Sequence, residues 1–282
     1  MSRLRSLLQK DHWLEERASL QQSDTRSGTS VGDAPAPLVG VAAAEVTIEP
    51  GAWLVYHTDP HSRAADRYRL LRIRLQALWS TGKLRKLLIT SPLPGDGKST
   101  VAMNLATALS ERGKRNVLVL EADLHHSPLV NNLGLRPGIG LAECLESGCD
   151  PLSAIQRLDP LNWYLLPAGA SSTNPTELLQ GPLLPTLLNK VANHFDWVII
   201  DSPPVIPLSE VLSLKNHSDG SLLVVRASCT SQDAVEEATT LLGKQHIVGI
   251  VLNGVEEPDL VYHKYGYNNY SGGSPGSIKG EG

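Results

Sequence analysis

Residues 86–100 read Lys-Leu-Leu-Ile-Thr-Ser-Pro-Leu-Pro-Gly-Asp-Gly-Lys-Ser-Thr, and Val101 to Leu109 continue as an apolar-faced segment. A short apolar run, a glycine-containing loop and a helix follow one another directly, the context that separates a phosphate-binding loop from a chance match. Gly95 and Gly97 let the backbone wrap closely around an anion, so that its N–H groups and the helix N-terminus point at phosphate. The stretch Pro94-Gly95-Asp96-Gly97-Lys98-Ser99-Thr100 is therefore the expected nucleotide-binding segment. Lys98 is expected on the β- and γ-phosphates and Ser99 on Mg²⁺, which makes ATP and Mg²⁺ the expected ligands. Pro92 stands where the usual pattern has its first glycine.

Outward from this loop, apolar runs alternate with helical periodicity. Strands are expected at Lys86–Thr90, Val117–Leu120, Trp163–Leu166, Trp197–Ile200, Leu222–Arg226 and Ile247–Leu252. Helices are expected at Ser99–Arg112, Leu141–Glu146, Pro151–Leu158, Glu177–His194 and Gln232–Leu242, the fourth broken near its start by Pro182 and Pro185. Near-continuous apolar strands separated by helices indicate a doubly wound, mostly parallel sheet with helices on both faces. With the phosphate loop, that is the α/β fold of a P-loop NTPase.

In such a sheet, ligands bind at the carboxyl ends of the strands. Glu121-Ala122-Asp123 follows the second of these strands and Asp201 the fourth. A single acid after a strand reads as a cap or turn residue; acids on neighbouring strands beside a phosphate loop read as catalytic. Asp123 and Asp201 are expected to share Mg²⁺ with Ser99, and an acid at this edge can take a proton from an acceptor hydroxyl. Lys98, Glu121, Asp123 and Asp201 form the expected catalytic set.

The rest of the chain carries less chemistry. Residues 1–20 have helical spacing, residues 21–45 read as a flexible linker, and Ala52 to Tyr56 as a short strand. A helix is expected from Asp59-Pro60, with Ala64, Tyr68, Leu71, Leu75 and Leu78 on one face. Its five arginines, Arg63, Arg67, Arg69, Arg72 and Arg74, suit pairing with carboxylates of another subunit. Beyond Asn253 the chain turns polar and reads as a disordered tail holding Tyr262, Tyr265, Tyr267 and Tyr270. The 282 residues carry a formal charge of −4, which argues against a nucleic-acid partner. Three cysteines show no metal-ligand spacing, no apolar span is long enough for a bilayer, and a reducing cytoplasm is the expected setting.

These motifs together resemble the bacterial tyrosine kinases of capsule and exopolysaccharide synthesis. That family joins a phosphate loop to an Asp-x-Asp-x-Arg motif, a strand ending in Asp-Ser-Pro-Pro and a tyrosine-rich tail. Here the second motif reads Glu121-Ala122-Asp123-Leu124-His125 and the third Asp201-Ser202-Pro203-Pro204. Pro167-Ala168-Gly169 with Asn174-Pro175-Thr176-Glu177-Leu178-Leu179 also looks like a family segment. Glu121 and His125 depart from the pattern. The resemblance implies ATP-dependent autophosphorylation of the tail tyrosines in trans, regulating polysaccharide polymerisation and export. It implies that Asn253 reads the adenine edge, and that Asp66, Arg69 and Arg72, matching Glu-x-x-Arg-x-x-Arg with Asp for Glu, join subunits into a ring. The implied partners are a membrane protein that determines polysaccharide chain length, which recruits the kinase to the inner face of the cell membrane, and a tyrosine phosphatase. The expected division is an N-terminal helix and linker at 1–60, a kinase domain at 61–255 and a tail at 256–282. The alternative reading is a non-kinase ATP-binding switch or regulator of the partitioning-ATPase type, acting on a membrane polysaccharide partner.

Overall fold

The structure, a computed structural model, describes Leu38 and residues 40–48, 53–170, 174–207 and 210–255. The helix expected at 1–20 and the four tail tyrosines lie outside the described residues. Eight strands form one sheet: β1 (Ala42–Glu45), β2 (Lys86–Thr90), β3 (Val117–Glu121), β4 (Gln156–Asp159), β5 (Trp163–Leu166), β6 (Trp197–Asp201), β7 (Gly220–Arg226) and β8 (Ile247–Asn253). Their order is β1-β4-β5-β3-β6-β2-β7-β8, and every neighbouring pair is parallel except β4 with β5. The helices are α1 (Val55–Thr58), α2 (Arg63–Trp79), α3 (Lys98–Leu109), α4 (Pro128–Asn132), α5 (Leu141–Ser147), α6 (Pro151–Ala154), α7 (Pro175–Gln180), α8 (Leu183–Ala192), α9 (Glu210–Asn216) and α10 (Gln232–Leu242).

Successive side chains of a strand point to opposite faces, and the central strands are apolar on both. Leu88, Leu118, Leu120, Val198 and Ile200 pack under α5, α7, α8, α9 and α10. Leu87, Ile89, Val117, Val119 and Ile199 pack on the other face, under α2 and α3. Each side chain fully removed from water contributes roughly 1.5–3 kcal/mol, so a sheet covered on both faces is what a run such as Trp-Val-Ile-Ile demands.

Four expectations change at the margins of this sheet. Of the segment 52–56, the described residues 53–56 are not a strand; α1 begins there because buried Asn104 of α3 accepts from Tyr56 N–H (3.0 Å) and donates to the Trp53 carbonyl (2.6 Å). The long N-terminal helix begins at Arg63, capped by Ser62, whose hydroxyl accepts from Ala65 N–H (3.2 Å). The helix expected over 151–158 stops at Ala154, and Gln156–Asp159 becomes β4 between β1 and β5. Only Leu158 of that strand is fully buried, so its pattern announces nothing, and its two neighbours create it. Likewise β1 lies inside the stretch read as linker, and Val46 and Leu54 are buried in the core, so the sheet reaches upstream of residue 61. The break near Pro182 is present: α7 ends at Gln180 and α8 starts at Leu183, with Pro185 in its first turn, where no N–H is needed.

Candidate active site

The loop between β2 and α3 turns through Gly95 and Gly97, at φ values of 83° and 95°. A Cβ on Gly97 would run into the Asn253 side-chain amide, so glycine is required there for space as well as for conformation. The loop is braced from the neighbouring strand ends. Arg226, at the end of β7, donates to the Gly95 carbonyl (3.0 Å), and Thr230 donates to Asp96 Oδ1 (2.6 Å). The other Asp96 oxygen accepts from Leu93 N–H (3.1 Å), while Asn253 Nδ2 donates to the Asp96 carbonyl (2.9 Å). The buried Asp96 side chain thus shapes the loop from within. Asn253, expected at an adenine edge, directs its amide nitrogen to the loop itself.

Strand register assembles the acids. β6 lies between β2 and β3, and Asp201 pairs in register with Glu121 on one side and Ile89 on the other. Lys98 Nζ lies 3.0 Å from Asp123 Oδ2, with both side chains largely buried. The other Asp123 oxygen accepts from His126 N–H (3.0 Å). Asp201 is fully buried; neither carboxylate oxygen meets full hydrogen-bond geometry, and the Ser99 hydroxyl is the one side-chain donor that acts on it. Burial pushes its pKa up to about 7, with Glu121 and Asp123 adding to the rise and Lys98 and Ser99 pulling it down. A buried carboxylate without donors is costly unless a cation sits against it. Three carboxylates around one lysine leave room for a divalent charge, and Ser99, Asp123 and Asp201 fit Mg²⁺ on that ground. Among the described residues no group of three His, Cys, Asp or Glu is arranged to hold a metal unaided.

Glu121 differs from the other two acids. Its Oε1 accepts from Leu129 N–H (2.7 Å) and its Oε2 from Ala168 N–H (3.1 Å). Burial raises its pKa and these two bonds oppose the rise. The carboxylate expected to take part in catalysis also ties the start of α4 and the exit of β5 to the end of β3. The extra methylene relative to aspartate supplies that reach.

At the same edge His125 Nε2 lies 3.0 Å from Glu210 Oε1, which also accepts from the Thr176 hydroxyl (2.6 Å). Burial pushes Glu210 up, but the bonds from Thr176 and His125 outweigh it and hold the carboxyl below its usual range. His125, which departs from the arginine of the family pattern, therefore has an acidic partner that sequence reasoning missed. Glu210 carried no signal, because it follows β6 by nine positions and reaches the site only through α9. Beside the loop opens a cleft of about 380 Å³, lined by Trp53, Tyr68, Leu71, Thr100, Val251 and Asn253 among others.

The structure brings Lys98, Ser99, Glu121, Asp123 and Asp201 together. Asp66, Arg69 and Arg72 are engaged within the chain on α2. Arg69 pairs with Asp66 (2.5 Å), donates to the Pro60 carbonyl and lies over the Tyr56 ring, 5.4 Å from its centroid. Arg72 donates to the Ala108 carbonyl at the end of α3 (3.3 Å).

Residues 84–256 match the family described as ParA: NUBPL iron-transfer P-loop NTPase. Fold and site thus define a ParA-type P-loop NTPase. Tyrosine-protein kinase YwqD of Bacillus subtilis (strain 168) is 30% identical over 213 residues, covering 74% of this chain and 88% of that protein. The kinase domain of Escherichia coli tyrosine kinase ETK superposes with a TM-score of 0.68 at 27% identity, over 78% of this chain and 84% of that one. A looser likeness, TM-score 0.50 at 25% identity over 60% of this chain and 69% of that one, links it to the septum site-determining protein MinD of Pyrococcus horikoshii OT3, complexed with Mg-ADP. The chain belongs to the bacterial tyrosine-protein kinase family.

Proposed function

We propose that this chain is an ATP- and Mg²⁺-dependent protein-tyrosine autokinase that phosphorylates Tyr262, Tyr265, Tyr267 and Tyr270 of a neighbouring copy. The observation that carries the reading is Asp201, fully buried, in register beside Glu121 and next to the Lys98–Asp123 pair at the mouth of a glycine-shaped loop. In this reading the loop from Pro94 to Thr100 receives the phosphates, and Lys98 moves from Asp123 to the charge that develops on the transferring group. Ser99, Asp123 and Asp201 would hold Mg²⁺, which when bound would supply neutralising charge to the phosphate oxygens. The acceptor phenol attacks the γ-phosphorus as the bond to ADP breaks, and its proton passes to a carboxylate of the Asp123–Asp201 pair. Glu121 positions rather than reacts, and Asp96 and Asn253 keep the loop open to the nucleotide.

Copies assemble through the outer stripe of α2, where Asp66, Leu70 and Ile73 are exposed. No described helix is long and apolar enough to cross a membrane. Recruitment to the inner membrane face is assigned to a membrane-anchored chain-length-determining partner, with a phosphatase reversing the modification and polysaccharide export as the regulated process.

Purified protein given ATP and Mg²⁺ should accumulate phosphotyrosine in the tail, and Lys98→Met should reduce labelling at least about a hundredfold, the scale of losing one charge-stabilising group. Equal labelling by Lys98→Met would remove the loop from the reaction. ATP turnover without phosphotyrosine would instead assign a nucleotide-dependent switch.

A further inference from the structure

Cys144 and Cys149 bring their Sγ atoms to 2.7 Å at the junction of α5 and α6. Both are free thiols. The approach is built by the local chain. Gly148 ends α5 in the left-handed conformation, φ 71°, and donates its N–H to the Cys144 carbonyl (3.0 Å). That reversal folds Cys149 back onto Cys144. Asp150 then fixes the far side, accepting from Leu152 N–H (3.0 Å) and pairing with Lys190 of α8 (3.1 Å). Apolar heavy atoms already count as touching at about 4 Å, so these sulfurs are far closer than packing requires.

We propose that Cys144 and Cys149 are a reversible dithiol–disulfide site, oxidised by peroxide and re-reduced by a small dithiol or glutathione. Cys149 is half-buried and within reach of solvent, whereas Cys144 is buried. The Cys149 thiolate attacks one peroxide oxygen; the S–O bond forms, the O–O bond breaks and the leaving oxygen departs as water. The Cys144 sulfur then attacks the Cys149 sulfur; the S–S bond forms, the S–O bond breaks and a second water leaves. Two thiols and one hydrogen peroxide become one disulfide and two waters, with two electrons passing from sulfur to oxygen.

The electrostatics fit this order of roles. Burial first, then the Cys149 thiol itself, with Glu143 and Asp150 adding, push the Cys144 thiol up to about 12. Cys144, the buried and less readily ionised sulfur, thus suits the resolving role, and the more exposed Cys149 the attacking one. Only four residues separate the two cysteines, so closing this loop constrains the unfolded chain little. The bond acts locally instead. Glu143, next to Cys144, accepts from Gly140 N–H (2.8 Å) and Ala170 N–H (2.9 Å), and nearby Ala168 is held by Glu121. Oxidation thus fixes the α5–α6 turn at a point connected through these bonds to the edge of the nucleotide site.

The full chain, reduced and then equilibrated with graded ratios of reduced to oxidised glutathione or with stoichiometric peroxide, is alkylated and digested. The expected result is a peptide joining Cys144 and Cys149 that is lighter by two hydrogens, unchanged in Cys229→Ser and absent in Cys149→Ser. Since Cys149 is not fully buried, that variant is expected to fold, and an unchanged melting curve confirms it. Dithiothreitol should restore both thiols to alkylation. Persistent glutathione on Cys149 with Cys144 still free, or a bridge to Cys229, would overturn the proposal, as would two alkylatable thiols at every ratio tested.

Discussion

Asp201 sets the cost of the site at the scale of one residue. With its pKa raised to about 7 from the ordinary 3.8, the folded state holds a proton that the unfolded chain has already released between those values. Stability contributed at this position is therefore complete below pH 3.8 and is lost as pH rises through about 7, at about 1.4 kcal/mol for each pH unit between the two values. Asp201→Asn should consequently stabilise the metal-free protein at pH 8, by a few kcal/mol in urea unfolding, and hardly at pH 4, while phosphotransfer is lost. An asparagine variant less stable than wild type at pH 8 would mean that the carboxylate is not strained. The same residue shows what the sequence could tell. Lys98 and Ser99 were legible from the glycine loop that carries them, and Asp123 and Asp201 because each stands at a strand end or within two positions of one. Arg226, Thr230 and Glu210 were not, because only the order of strands and helices delivers them. Glu121 was legible as an acid at the right edge, but the two backbone donors that occupy it belong to segments further along the chain.

At the scale of the element, α2 shows how a charged helix divides its arginines. Ala65 and Leu75 are buried on its contact side, and Trp79 stacks on Trp197 (centroids 6.3 Å apart) beneath the Arg115 guanidinium (4.8 Å). Arg72 lies on the contact side, bonded to the end of α3, with its Nε buried and without a partner. Arg72→Ala should lower stability by about 1–2 kcal/mol through the lost carbonyl bond and the lost packing of its stem. The urea midpoint should fall equally at low and high protein concentration. An unchanged midpoint together with a smaller particle in light scattering would instead place Arg72 between subunits. The helix itself was legible from its period. α1 and β4 were not, since a buried asparagine and two flanking strands override whatever local preference those short stretches have.

For the whole molecule, the proposed reaction couples charge to assembly. Each phosphotyrosine adds roughly −1.5 to −2 charges at neutral pH, so a fully modified tail becomes strongly anionic and should be repelled by a site lined by Asp123 and Asp201. Wild-type protein should lose mass by light scattering once phosphorylated, whereas a variant with phenylalanine at Tyr262, Tyr265, Tyr267 and Tyr270 should keep its mass in ATP. Identical masses before and after modification would uncouple the tail from assembly. The sheet imposes a separate demand. β1 covers the outer backbone of β4, and it comes from residues that precede the long helix by some twenty positions. A shortened chain begun at residue 61 would strip that cover and present the Gln156–Asp159 backbone, unpaired, to other molecules, the template along which edge strands aggregate. Recombinant work on the isolated catalytic region should therefore start ahead of Ala42, or insoluble material will be mistaken for a defect in the kinase.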